Sequence, residues 1–152
     1  MNDRFRFRAI DNRDWVDEDE KGKIYYDVQD AYDYGGGEPE VPASSFGCVV
    51  DGEGWIVEQC IGLKDSNGKL IYEGDIILSN MKYGGTHFVI VGDVRGYCYD
   101  AVAVEEYEQY LKSNKSDLCF RLSATAYHII TDHGPCEVVG NIHENPELLE
   151  DK

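Results

Sequence analysis

A chain of 152 residues, 42% of them hydrophobic, has the length of one domain that buries a core without metal or disulfide support. Its formal net charge of −16, from 14 basic and 30 acidic side chains, repels phosphate backbones and anionic lipid, which argues against direct nucleic-acid or membrane binding. No apolar run approaches the roughly 20 residues of a membrane helix, and the start, MNDRFRFRAI, has no apolar signal core.

Five cysteines (Cys48, Cys60, Cys98, Cys119, Cys136) at wide, irregular intervals form no disulfide framework, so reduced thiols in a cytoplasm are expected. Sixteen glycines and eleven tyrosines favour strands and turns over a helical bundle. Charge is unevenly placed. Residues 1–16 set Arg4, Arg6, Arg8 and Arg13 against Asp3, Asp11 and Asp14. Residues 17–40 set nine acids against Lys21 and Lys23, a net of −7.

In chain order, the first expected element is a strand over Arg4–Ile10. Basic and apolar residues alternate there, so Phe5, Phe7 and Ala9 point into a core and the arginines line the other face. That row is expected to pair with the chain's own acid, the 17–20 cluster. Ile24–Val28 reads as a short strand. Gly35-Gly36-Gly37 and Glu38-Pro39-Glu40-Val41-Pro42 are breakers, so 17–45 reads as a flexible acidic insertion. The three glycines are no phosphate loop, because no Lys-Ser/Thr pair or helix follows.

Closely spaced strands come next. Cys48-Val49-Val50 leads to a turn at Asp51–Gly54, and Trp55–Ile61 returns from it. Leu70–Leu78, Thr86–Val91, Tyr97–Val104, Leu118–Leu122, Tyr127–Ile130 and Glu137–Ile142 complete the set. Short turns between such strands imply a small antiparallel barrel or sandwich. A helix is expected at Val104–Lys112, leading into and overlapping a 105–117 helical insertion, with Val104, Tyr107 and Leu111 on one side, early glutamates and a late lysine. A second helical turn begins at Asn145 as N-cap, with Pro146 first and Leu148 and Leu149 free to dock.

Gly62–Leu78, GLKDSNGKLIYEGDIIL, reads as a device for turning the chain. Asn67-Gly68 tolerates the positive φ angles of a tight hairpin. Gly74 supplies a bend, and Asp75 can tie its carboxylate to nearby backbone N–H groups.

The stretch Gln59–Ile77 (QCIGLKDSNGKLIYEGDII) resembles the signature of the YopX family of phage and prophage proteins. Phe7-Arg8-Ala9-Ile10-Asp11 is similar to that family's opening motif, with Ile10 where an aromatic is usual. Val138–Leu149 (VVGNIHENPELL) is similar to its closing motif, with His143 where tyrosine is common. The resemblance implies a single domain over 1–152 built on an SH3-like β-barrel with strand extensions, a bacterial-host cytoplasmic setting and self-association. It implies no activity, no cofactor and no catalytic residue. Gly62, Asn67, Gly68, Tyr72, Gly74, Asp75, Gly140, Asn145 and Pro146 are its structural motif residues here.

Other sites weigh less. His128, His133 and Cys136 with Asp132 lack the paired knuckles of a zinc site and read as a turn around Pro135. A cysteine nucleophile needs a histidine close in space, and five cysteines with four histidines single out none. Tyr25, Tyr26, Tyr32 and Tyr34 among Asp27, Asp30 and Asp33 form a tyrosine strip in a negative field. That suits a protein interface better than a base-stacking platform. The expected function is a non-enzymatic binding module for host or phage proteins. The alternatives are an acidic decoy that occupies a host DNA-binding protein and a small Cys/His hydrolase.

Overall fold

The computed structural model describes residues 6–30, 49–50, 53–79, 85–92, 99–112, 123–125, 130 and 135–150. They are mainly β, in two antiparallel sheets with an α-helix. The chain divides into two compact units, Met1–Gly62 and Leu63–Lys152.

In the first unit, β1 (Phe7–Asp11) lies between β2 (Ile24–Tyr26) and β3 (Trp55–Lys64). Ala9 stands opposite Tyr25 on one side and Val57 on the other. Alternation therefore sends these three to one face, where buried Ala9, Val28 and Val49 pack with Phe7, Tyr25, Trp55 and Val57. Arg8 belongs to the opposite face and stands opposite Tyr26 and Glu58. It pairs with the chain's own acid, as expected of that row, but with Glu58 and not with the 17–20 cluster. At 1% exposure, its Nε donates to Glu58 Oε1 at 2.8 Å. Strand register decides this partner, because Glu58 lies directly across the ladder. Arg6 lies 4.0 Å from Asp27. The short strand read at Ile24–Val28 is β2, and Asp27 ends it with φ 57°. Val49 and Val50 are helical rather than extended.

The second unit contains β4 (Leu70–Tyr72), β5 (Asp75–Ser79), β6 (Thr86–Gly92), β7 (Tyr99–Ala103), β8 (Ser123–Thr125) and β9 (Cys136–Asn141). Its five-stranded sheet has the order β8-β7-β6-β5-β9. The run read as one strand over 70–78 is broken at Glu73-Gly74, where Gly74 adopts φ 83°. A bulge leaves Val139 as the extra residue of β9, between Gly140 opposite Ile76 and Val138 opposite Ile77.

Between β7 and the residues before β8 runs α1 (Val104–Lys112). Val104, Tyr107 and Tyr110 are its buried side chains, and Tyr110 stacks on Tyr107 with ring centroids 6.0 Å apart. Leu111, expected on the inward side, is exposed instead. The buried stripe is centred on Tyr107, and a stacked aromatic pair covers more sheet than a leucine at the last turn. Ile76, Val89, Val91 and Val102 complete this core, and Leu148 and Leu149 pack against it from the closing 3₁₀ turn, Pro146–Leu149. The strand expected at Leu118–Leu122 lies outside the described residues, as does Tyr127–Ile130 except for helical Ile130.

Candidate functional site

The corner at 62–78 is organised around a buried carboxylate. Asp65 is only 7% exposed. One carboxylate oxygen accepts hydrogen bonds from the backbone N–H groups of Asn67 and Lys69, both at 2.9 Å. The other accepts from Val138 N–H on β9, also at 2.9 Å. Beside it, Ser66 Oγ accepts from Cys136 N–H at 3.0 Å, and Ser66 N–H donates to the Cys136 carbonyl at 2.9 Å. Cys136 and Val138 present these N–H groups on the edge of β9 away from β5. Asp65 and Ser66 thus plug a sheet edge that would otherwise offer backbone groups to another strand. Burial pushes the Asp65 carboxyl upward, but the N–H groups of Val138, Lys69 and Asn67, aided by the Lys69 charge, hold it below its ordinary value.

The motif residues around it do similar work. Gly62 and Gly68 take φ 87° and 83°, whereas Asn67 stays at negative φ, so the expected turn with two positive φ angles is instead a turn with one. Tyr72 N–H donates to buried Asp75 Oδ2 at 2.8 Å. A Cβ on Gly140 would stand 2.5 Å from Asn145 Oδ1. That side chain faces back toward the strand, accepting from Asn141 N–H at 3.2 Å. Asn145 is therefore no side-chain cap for the 3₁₀ turn. The tight Asn141–Asn145 loop claims its oxygen first, while Pro146 occupies the first position as expected.

A different chemistry appears on the first unit. Asp11 accepts two hydrogen bonds from the Arg13 guanidinium, Nε–Oδ1 at 2.8 Å and Nη2–Oδ2 at 2.7 Å, and a third from the Arg13 backbone N–H at 3.3 Å. That pairing holds the Asp11 carboxyl below its ordinary value against the opposing effect of burial, and raises Arg13. The guanidinium carbon lies 4.7 Å from the Trp55 ring centroid and 5.8 Å from that of Trp15. Trp55 meets Tyr25 edge to face at 6.1 Å, and burial raises the Tyr25 phenol. Trp15 is 70% exposed. Close to it in the chain, Asp14, Asp17, Glu18, Asp19 and Glu20 are all exposed.

Of the four tyrosines expected at an interface, Tyr25 packs inward and Tyr26 projects at 43% exposure, while Tyr32 and Tyr34 lie outside the described residues. His128, His133, Cys48, Cys98 and Cys119 also lie outside them. Cys60 and Cys136 are buried thiols, and burial raises Cys136. Among the described residues no group of three or more His, Cys, Asp or Glu could hold a metal ion. Nor is any described helix long and apolar enough to cross a membrane. Sequence reasoning did not single out Trp15, Arg13 or the reach of Asp65. The available signal for Trp15 was a tryptophan set in a run of acids with no apolar periodicity to bury it.

The model of the family described as YopX protein matches residues 4–150, and the chain belongs to that family. All three motifs noted in the sequence lie within the match. Among solved structures, the chain is similar to the crystal structure of protein EF1440 from Enterococcus faecalis. The two are 26% identical over 95% of this chain and 96% of that one, with a TM-score of 0.46. No curated protein matches.

Proposed function

We propose that this protein is a non-enzymatic accessory protein of a phage or prophage, acting in the bacterial cytoplasm as a protein-binding module that self-associates. The observation that carries this reading is the exposure of Tyr26 (43%) and Ile56 (38%) on the strands flanking β1. Both project from the face that bears the Arg8–Glu58 pair and Ile10. Arg8, Glu58 and Ile10 are themselves buried there, so what another copy can meet is Tyr26 and Ile56, uncharged side chains beside an ion pair that cancels. On a chain of net charge −16, two copies approach most cheaply through such uncharged side chains. Tyrosine suits the role, with an apolar ring and a hydroxyl that stays wet. We read the bulged, glycine-cornered sheet of the second unit as an SH3-like barrel held open.

Light scattering after size-exclusion chromatography tests the reading. Because β2 lies inside the acidic segment, point changes serve better than a deletion. The full chain should elute as a multiple of the monomer mass, and Tyr26→Ser with Ile56→Ser should return it to monomer while its circular dichroism is unchanged. A monomeric full chain would remove self-association. Turnover of a nucleotide or peptide that one polar substitution abolishes would remove the non-enzymatic reading.

The decoy reading gains support from the exposure of every acid in 17–20. It requires competition with DNA for a host protein's basic groove, weakened by salt.

A further inference from the structure

We infer that the surface centred on Trp15 is a docking site for an arginine- or lysine-rich segment of another protein. The inference rests on the reading of the chain as a binding module and assigns it a second surface and a partner chemistry. Trp15 is the largest exposed apolar side chain among the described residues, at 70% exposure. Its indole is not a loose appendage. Arg13 lies against it at 5.8 Å and is itself clamped by Asp11 and by Trp55 at 4.7 Å. The ring thus has a positioned cation on one side and leaves most of its surface open to a partner.

The surroundings select the partner by charge. Asp14, Asp17, Glu18, Asp19 and Glu20 are exposed, against two lysines in the same turn. Lys21 lies 3.8 Å from Asp14 and Lys23 lies 3.9 Å from Glu20, so both cations are directed at local carboxylates. What remains is an indole in an anionic field. A guanidinium or ammonium stacked on the indole and flanked by carboxylates satisfies both features. A second copy of this chain fits poorly, since it would bring matching carboxylates together. An apolar partner leaves the carboxylates to be desolvated unpaired.

The test is the fluorescence anisotropy of a labelled oligo-arginine peptide titrated with the full chain at about 0.15 M salt, where long-range attraction is largely screened. Binding is expected, with Trp15→Ala weakening it about tenfold at constant net charge and Trp15→Phe falling between. Glu18→Gln with Asp19→Asn should weaken it more than Glu105→Gln with Glu108→Gln, which removes the same charge from α1. An affinity indifferent to Trp15→Ala, equal losses from the two double variants, or no binding at this salt overturns the inference. A monomeric chain that still binds through Trp15 removes only self-association. An oligomer whose binding ignores Trp15 removes only this inference.

Discussion

Asp65 illustrates how one side chain can decide a corner. Three backbone N–H groups from two separated segments converge on it, and its burial makes the loss of any of them costly. A neutral amide can accept fewer of these bonds and accepts them more weakly, so Asp65→Asn should cost about 1–3 kcal/mol at neutral pH. The same group predicts acid behaviour. Its folded pKa lies below the ordinary 3.8 of an unfolded chain. The stabilisation is therefore complete above that value and is lost as pH falls through the lower folded value. Asp11, held by Arg13, acts in the same direction. Thermal melts from neutral pH down to about pH 2 should show stability falling steeply below about pH 4. The Asp65→Asn protein should lose less over that interval. An identical acid profile in the two proteins would mean that Asp65 contributes nothing to the slope.

At the scale of the element, the central strand of the first sheet carries a buried ion pair across its ladder. Arg8 and Glu58 are 1% and 7% exposed, which makes the pair expensive to break and less valuable than its geometry suggests. Arg8→Met alone should cost about 3–5 kcal/mol, because it leaves a buried carboxylate without its guanidinium. Glu58→Leu alone should cost about as much. The double variant should recover most of either loss, since two apolar side chains of similar length need no desolvated partner. Urea melts of the four proteins close the cycle. Losses that simply add would show that the two side chains act independently. Gly140 is another element-scale constraint, since the loop after β9 folds back so closely that Asn145 occupies the space a Cβ would need.

Across the whole molecule, the net charge of −16 sets the terms. Like charges repel one another in the folded chain, and the unfolded chain separates them. Added salt screens that repulsion, so raising sodium chloride from about 10 mM to about 0.5 M should raise Tm by several degrees. A flat or falling Tm would mean that attractive pairs such as Asp11–Arg13 and Arg8–Glu58 outweigh the net repulsion. The family match crosses both compact units, so the motif at the start, the corner in the middle and the closing turn are parts of one inherited pattern.

Local patterns in the amino-acid sequence determined the β character, most strand positions, the breaks at Gly68 and Gly74, the helix at Val104–Lys112 and the family. Each depends on residues a few positions apart, where alternation, propensity and glycine's freedom at positive φ act. Only the tertiary structure decided which residues meet. Arg8 found Glu58 because strand register placed it there, and Asp65 found Val138 across 73 positions of chain. Tyr110 displaced Leu111 from the core side because the helix could stack two tyrosines against the sheet. Trp15 stays in solvent beside Arg13, whereas Trp55 packs into the core of the first unit. Alternation fixes which face a residue takes, but which residue stands across from it depends on pairing between strands far apart in the chain, where no tight turn sets the register.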